Sequence, residues 1–172
     1  YSEMSCFLMI CHRNLDVMMF SRKMKNYKLV ECLDLLEWDK FIKSSPQNNI
    51  FSHSWFLKER KREYKFYFIL KEQKIISAAI VSLDKNKRPI DTPWVHHGIY
   101  LNDDFKTLKN HKFTKNYIDL ILFLIDSLSK KMNLISFNLH PSIQDMRPFQ
   151  WSVFENKTNL SLSIKINSTA IL

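Results

Sequence analysis

Three short stretches carry the residue types that could do chemistry, and the densest is residues 140–151, HPSIQDMRPFQW. Arg147 stands between two prolines in this stretch, and a guanidinium held in this way is a fixed two-pronged donor for a phosphate or a carboxylate. A structural explanation is equally open. In it, Arg147 pairs with Asp145, while Phe149 and Trp151 fill the core.

The second stretch is TPWVHHG, residues 92–98. Adjacent histidines on an extended chain point in different directions, so they rarely bind one metal ion together, and no further ligands follow at zinc spacing. We therefore predict no metal site. We expect one of His96 and His97 to face a cleft and the other to face solvent.

The third stretch is SHSWFLK, residues 52–58, which is followed by further basic residues up to Lys65. A helix N-terminus beside a basic helix face attracts anions. The alternative is the solvated face of an ordinary amphipathic helix.

The composition excludes several classes of site. The chain has 172 residues, the length of one ordinary domain, and a single glycine, Gly98. Glycine-rich phosphate loops such as GxxxxGK and GxGxxG are therefore excluded. The net charge of +9 favours nucleic acid, anionic lipid or phosphorylated partners, although a solvated basic surface explains it equally well.

The cysteines and the apolar runs indicate the compartment. Cys6, Cys11 and Cys32 are an odd number without a CxxC motif, which is typical of reduced thiols. The longest apolar run, residues 120–125, is far too short to cross a membrane. We predict a cytoplasmic protein without a transmembrane segment.

The elements that must position these stretches follow from hydrophobic periodicity and from turn residues. Asp34 and Glu37 form a capping-box pattern that opens a helix, and Thr114 is predicted to cap the longest helix, which ends near Met132. The helices are predicted over residues 36–44, 52–64 and 114–132. The strands are predicted over residues 27–32, 65–71, 75–83, 134–139, 151–154 and 162–172, with a long connection over residues 84–102. Residues 65–71 and 75–83 are predicted to form a hairpin around Glu72, Gln73 and Lys74, and their apolar runs predict strands covered on both faces.

This order predicts an α/β (α+β) domain with one mixed, mainly antiparallel sheet flanked by helices. Residues 1–23 have an irregular pattern with three methionines and two cysteines. We expect them to be a poorly ordered N-terminal extension, with the single domain spanning residues 24–172.

Two of the stretches resemble FemAB-like acyltransferases. Residues 38–57, WDKFIKSSPQNNIFSHSWFL, resemble the family pattern of W-x-x-F, then S-P-x-(G)-x-x-F, then a helix beginning near a tryptophan. Residues 140–151, followed by a predicted strand, resemble its D-x-R-P-F-x-W-x-G-(F/Y) segment. The loop with Pro93, Trp94 and Gly98 lies where the family often has a loop with proline and glycine. The resemblance spans about residues 24–172.

The resemblance implies a GCN5-type N-acyltransferase-like fold, the first of two such domains in tandem. It implies transfer of an acyl or aminoacyl group to an amine of a phosphorylated acceptor, such as a peptidoglycan precursor or a sugar nucleotide. The donor would be acyl-CoA or aminoacyl-tRNA, with no permanently bound cofactor. A second transferase domain, a homodimer and tRNA are the implied macromolecular partners.

The resemblance also implies roles for individual residues. Trp55 would stack on the acceptor, Lys58 and Arg147 would hold its phosphates, and His97 would take the proton of the amine. The other substrate-binding residues are predicted to be Trp94 and Trp151. The alternative function is a non-catalytic half-domain or binding module with a basic face for anions or tRNA.

Overall fold

The computed structural model describes residues 3–12, 26–90, 98–132, 134–155 and 160–169, and these residues form seven strands and four α-helices. The strands are β1 (Glu3–His12), β2 (Tyr27–Glu31), β3 (Glu63–Lys71), β4 (Lys74–Leu83), β5 (Ile99–Leu101), β6 (Leu134–Leu139) and β7 (Leu160–Thr169). The α-helices are α1 (Leu35–Ser44), α2 (Ser54–Lys58), α3 (Asn110–Ser129) and α4 (Arg147–Glu155), and 3-10 helices cover Ile50–Ser52 and Asp103–Thr107.

The strands form two antiparallel sheets, so the prediction of one mixed sheet is wrong, although the α+β class is confirmed. One sheet has four strands in the order β2-β3-β4-β5, and the other has three in the order β6-β1-β7. Within the described ranges, all the strand pairs are antiparallel. The sequence pattern did not separate the sheets because strand partners are chosen by packing, whereas periodicity reports only that a strand exists.

The local predictions around the first sheet are confirmed. The Asp34 side chain caps α1 by accepting hydrogen bonds from the backbone N–H groups of Leu36 (2.8 Å) and Glu37 (3.3 Å). Strands β3 and β4 form a hairpin around Glu72 and Gln73. Both turn residues have positive φ, 49° and 69°, as a two-residue turn between twisted strands requires.

The four-stranded sheet is buried on both faces, as its apolar strands predict. On one face, Tyr67 and Ile69 of β3 belong to a core shared with the buried side of α3. On the other face, the neighbouring Phe68 belongs to a second core with Trp38 of α1 and Leu57 of α2. This second core positions the stretch that starts at residue 38.

Two predicted helix limits differ from the structure. The helix predicted over residues 52–64 ends at Lys58, because β3 already begins at Glu63. The longest helix begins at Asn110, and its N-cap residue is Lys109, so Thr114 lies inside the helix and does not cap it. A Ser or Thr oxygen favours an N-cap, but here the chain enters the helix one turn earlier.

The strand predicted over residues 151–154 is wrong, because these residues belong to α4. Phe149 and Ser152 are buried while Gln150 and Trp151 are exposed, which is the three-residue spacing of a helix rather than the alternation of a strand. Pro148 does not prevent the helix, because it lies in the first turn, where no intrahelical N–H bond is lost.

Residues 1–23 were expected to be a poorly ordered extension, and the structure describes residues 3–12 of this range. Glu3–His12 is the central strand β1, which pairs with β7 at ten positions and with β6 at six. Its sequence, EMSCFLMICH, contains no glycine, proline, asparagine or aspartate, and an apolar run of this kind suits the middle of a sheet. The domain boundary at residue 24 stays a prediction.

Candidate functional site

Trp38 anchors the first stretch of the candidate site to the sheet. Its indole is fully buried, and Nε1 donates a hydrogen bond to the Ser52 carbonyl at 2.9 Å. The Ser52 hydroxyl in turn donates to the phenolic oxygen of Tyr100 on β5 at 2.8 Å. The segment between α1 and α2 is therefore held against β5, and this contact orients α2.

The N-terminus of α2 is filled by the protein's own carboxylate. Asp39 Oδ1 accepts from the backbone N–H of Ser54 at 2.7 Å, and Asp39 Oδ2 accepts from the Ser54 hydroxyl at 2.6 Å. His53 Nδ1 lies 3.6 Å from Asp39 Oδ1, and its Nε2 lies 3.0 Å from Asn48 Oδ1. The anion expected at this helix start is thus Asp39, because a side-chain oxygen satisfies the free N–H groups there.

Trp55 and Lys58 lie three residues apart on α2, and both are exposed. Trp55 keeps 55% of its surface accessible, although its indole stacks near His53 with ring centroids 6.2 Å apart. An exposed aromatic ring with a cation one turn away is available to a ligand with a flat group and a negative charge. The structure therefore leaves both predicted residues accessible.

Arg147 and Trp151 form a second pair, one turn apart on α4. Arg147 already binds Asp145 through two parallel bonds, Nε to Oδ1 at 2.9 Å and Nη2 to Oδ2 at 2.7 Å. This guanidinium holds the pKa of the Asp145 carboxyl below its usual range. The structural explanation is therefore confirmed for Arg147, and also for the fully buried Phe149, whereas Trp151 stays 40% exposed.

The two pairs lie on helices that have different main packing partners. Helix α2 packs against the first 3-10 helix and α1, whereas α4 packs against α3 and β7. The predicted residues Trp94 and His97 lie in residues 91–97, outside the described residues. Gly98, which follows them, comes close to β6: a Cβ there would lie 3.2 Å from the Cβ of Phe137.

The buried side-chain amide of Gln47 joins the two stretches that resemble FemAB-like segments, residues 38–57 and 140–151. The sequence analysis did not identify this residue. Gln47 Oε1 accepts from the Leu101 N–H at 2.8 Å and from the Ser45 hydroxyl at 3.2 Å. Gln47 Nε2 donates to Ser142 Oγ at 3.1 Å, and this hydroxyl lies 2.9 Å from His140 Nδ1. We call these five residues the Gln47 cluster.

The Gln47 cluster connects the loop after α1, the edge strand β5 and the turn after β6. Its inner end is rigid, since Gln47 is 3% exposed and its oxygen has two donors. Its outer end is an exposed hydroxyl beside a partly exposed imidazole. Gln47 lies in one of the two stretches that resemble the family, and Ser142 lies in the other. This position was the one sequence signal that could have identified the two residues.

The surroundings of Cys32 predict that its thiol reacts slowly. Its side chain is buried, and Sγ donates to the Asp34 carbonyl at 3.1 Å. Burial, with the nearby Glu37 carboxylate as a smaller cause, raises the pKa of the Cys32 thiol from its ordinary 9.0 to about 11. Since the thiolate is the reactive form, we expect iodoacetamide to modify Cys32 about a hundredfold more slowly than an exposed thiol at pH 8.

Peptide-resolved mass spectrometry of the native protein, with the urea-unfolded chain as control, checks this expectation. The raised pKa also has a consequence for stability. The protonated Cys32 thiol contributes to the free energy of unfolding below the ordinary thiol pKa of 9.0. This contribution is lost as the pH rises through the pKa of the folded protein, about 11. Equal alkylation rates in the native and unfolded chains would contradict the buried position.

The described part of the chain contains no group of three or more His, Cys, Asp or Glu residues placed to hold a metal ion. In the same ranges, none of the helices has the length and apolar character needed to cross a bilayer.

No protein-family model matches the chain, and no curated protein is significantly similar to it.

Proposed function

We propose that the chain is an acyltransferase-like domain that transfers an acyl or aminoacyl group to an amine. The acceptor would be phosphorylated, of the peptidoglycan-precursor or sugar-nucleotide type. The observation that carries the proposal is the hydrogen bond from Gln47 Nε2 to Ser142 Oγ. It brings together residues 38–57 and 140–151, the two stretches on which the resemblance to FemAB-like acyltransferases rests, although its two residues are 95 positions apart.

The proposed chemistry needs no covalent enzyme intermediate. The acceptor nitrogen attacks the acyl carbonyl carbon, a C–N bond forms, and the ester bond to tRNA or the thioester bond to CoA breaks. The amine loses a proton to His97, and the leaving oxygen or sulfur ends protonated. The enzyme's contribution is to align the donor with the acceptor and to stabilise the developing oxyanion.

The residues proposed to bind the acceptor are exposed wherever the structure describes them. Trp55 offers an exposed ring face and Lys58 an exposed ammonium group on the same short helix. Arg147 is proposed to hold a phosphate as well, and to do so it shares its guanidinium with Asp145 or exchanges that partner. Trp94 and Trp151 complete the proposed set.

A thermal-shift screen tests the function. The probes are acetyl-CoA, longer acyl-CoAs, aminoacyl-tRNA and UDP-sugar precursors, each at low and at moderate salt. A ligand at a hundredfold excess over its Kd adds about 2.7 kcal/mol to the free energy of unfolding. A salt-resistant shift with one donor or acceptor supports the transferase, whereas no shift with any donor contradicts it.

Substitutions at the two basic residues test the acceptor site. For the acceptor that shifts the melting temperature, we expect Lys58→Ala and Arg147→Ala each to weaken binding by about tenfold, since each removes a charge-assisted bond to phosphate. Asp145→Asn frees the guanidinium and strengthens binding. Lys43→Ala, an exposed lysine at the end of α1, is the matched control. Unchanged affinity in either variant removes that residue from the site.

A second candidate function, a binding module for tRNA or another polyanion, is favoured by the start of α3. Lys109, Lys112 and Lys115 are exposed there, and the first turn of the helix has no acidic residue and no side-chain cap. Positive side chains at a positive helix end repel one another unless an anion covers them. This function would be supported if deacylated tRNA binds with an affinity that falls steeply as the salt concentration rises, and if no acyl transfer occurs.

A protein partner is also part of the proposal. Leu33 and Leu36, at the start of α1, are 86% and 83% exposed, which leaves two large apolar side chains in water. A second transferase domain or a second copy of the chain would cover them. Sedimentation analysis of the chain distinguishes a homodimer from a monomer that awaits a second domain.

A further inference from the structure

The layer that covers one face of the four-stranded sheet contains a strongly basic segment. Residues 40–62, which we call the basic segment, comprise the second half of α1, the first 3-10 helix, α2 and the turn before β3. The basic segment contains one acidic residue, Glu59, and its six basic residues are all exposed: Lys40, Lys43, Lys58, Arg60, Lys61 and Arg62. Six basic residues against one acidic residue give it a net charge of +5.

The acidic residues at the two ends of the basic segment do not cancel this charge. Asp39, just before it, accepts hydrogen bonds from the N–H and the hydroxyl of Ser54, and Glu63, just after it, is one exposed carboxylate. Counting both still leaves an excess of three positive charges. The ion pairs of the described ranges include none of these cations: Lys40, Lys43, Lys58, Lys61 and Arg62.

The cations lie on the side of the layer that faces away from the sheet. Trp38 and Ile42 of α1 are buried in the second core, whereas Lys40 and Lys43 are exposed on the opposite side of the same helix. Leu57 of α2 belongs to the same buried core. The two helices therefore direct their apolar side chains to the sheet and their basic side chains to solvent.

An apolar patch interrupts this basic surface. Ile50 is 51% exposed, and Trp55 is more than half exposed as well. Ring contacts connect them: the Phe56 ring lies 5.3 Å from the ring of Phe51, the neighbour of Ile50, and 6.1 Å from the ring of Trp55. The Arg60 guanidinium lies 4.2 Å from the centroid of the Phe56 ring, so the patch directly adjoins the cations.

These contacts favour a lipid bilayer over single-stranded nucleic acid as the partner. Base stacking needs an open aromatic face, but Arg60 lies over the Phe56 ring, and the Trp55 indole stacks near the His53 ring. An exposed aliphatic side chain such as Ile50 gains most by leaving water for an apolar medium. Tryptophan is enriched at the interface between membrane and water, and lysine and arginine are attracted to anionic lipid head groups.

We propose that the basic segment binds the surface of a bilayer that contains anionic lipids. Ile50 and Trp55 would enter the boundary between head groups and acyl chains, while the surrounding cations would contact lipid phosphates. Trp55 and Lys58 are also proposed to bind the acceptor, but this inference does not rest on acyl transfer. Lipid vesicles contain neither an acyl donor nor an amine acceptor of the proposed type, so the two proposals can fail separately.

Cosedimentation of the full chain with vesicles tests the proposal. Vesicles of phosphatidylcholine mixed with phosphatidylglycerol should bind at least about tenfold more tightly than phosphatidylcholine alone, and salt should weaken the binding. Brominated acyl chains in the mixed vesicles should quench tryptophan fluorescence. The quenching should be largely lost in Trp55→Phe and kept in Trp151→Phe, because Trp151 lies on α4, outside the basic segment.

Two double variants isolate the charge. Lys61→Gln with Arg62→Gln should weaken binding to the mixed vesicles about thirtyfold. Lys85→Gln with Lys87→Gln removes the same charge from the exposed turn after β4, and it should bind as the unsubstituted chain does. The pairs are also matched in backbone, since φ is 50° at Lys61 and 59° at Lys87. Ile50→Ser should weaken binding several-fold through the apolar contact.

Several results would overturn the proposal. They are equal binding to both kinds of vesicle, undiminished quenching in Trp55→Phe, and equal losses in the two double variants. Binding of a single-stranded oligonucleotide through Lys61 and Arg62, with no binding of vesicles, would overturn it as well and would make nucleic acid the partner.

Discussion

Replacing Trp38 by alanine is expected to lower the free energy of unfolding by about 3–5 kcal/mol, as for other large aromatic side chains removed from a core. Trp38 is fully buried, and its indole packs against the rings of Phe66, Phe68 and Tyr100 at centroid distances of 4.8, 5.7 and 6.0 Å. The substitution would also leave the Ser52 carbonyl without its donor. Urea denaturation monitored by circular dichroism measures the loss.

Trp55 supplies the matched control, because it is the same residue type 17 positions further along the same stretch. More than half of its surface is already in water, so Trp55→Ala should change the free energy of unfolding by no more than about 0.5 kcal/mol. Its proposed role predicts weaker acceptor binding instead. Equal losses of stability in the two variants would show that the assignment of one tryptophan to the core and the other to the site is wrong.

Removing residues 1–23 is expected to abolish cooperative unfolding. The deletion takes away β1, the strand between β6 and β7, and with it sixteen paired positions. At about 0.5–1.5 kcal/mol for each backbone hydrogen bond, the loss is on the order of 10 kcal/mol, which is comparable with the whole stability of a domain. Phe137 and Leu139 of β6 are buried, so the main core would lose support as well.

A single substitution distinguishes the loss of strand pairing in β1 from the effect of shortening the chain. Leu8 pairs with Phe137 of β6 and with Ile164 of β7, so Leu8→Pro removes one ladder N–H in mid-strand. It should destabilise the protein strongly, whereas deletion of residues 1–2 alone should not. A fragment of residues 24–172 that unfolds cooperatively with native stability would instead support an N-terminal extension outside the domain.

Local features were predictable because they depend on near neighbours. The cap at Asp34 joins residues two and three positions apart, and the β3–β4 hairpin closes through two residues. Both were expected from sequence. Local patterns failed at α4, where an aromatic-rich run looked like a strand, because short apolar runs lack a decisive period.

The candidate site was only partly predictable. The roles of Trp55, Lys58, Arg147 and Trp151 were inferred from the family resemblance, and the structure leaves all four exposed. The sequence offered the pairing of Arg147 with Asp145 as one of two explanations, and the structure shows that this pair forms through two bonds. That pairing depends on the backbone turn before α4, which places the two side chains side by side.

The sequence by itself determined the α+β class, most strand positions and the exclusion of glycine-rich phosphate loops, since each depends on composition or on spacing over a few residues. Only the tertiary structure decided which of two tryptophans is buried, that Asp39 fills the start of α2, and that Gln47 reaches Ser142. These are contacts between segments distant along the chain. Their geometry follows from the way two faces of one sheet are packed, and no local pattern encodes that packing.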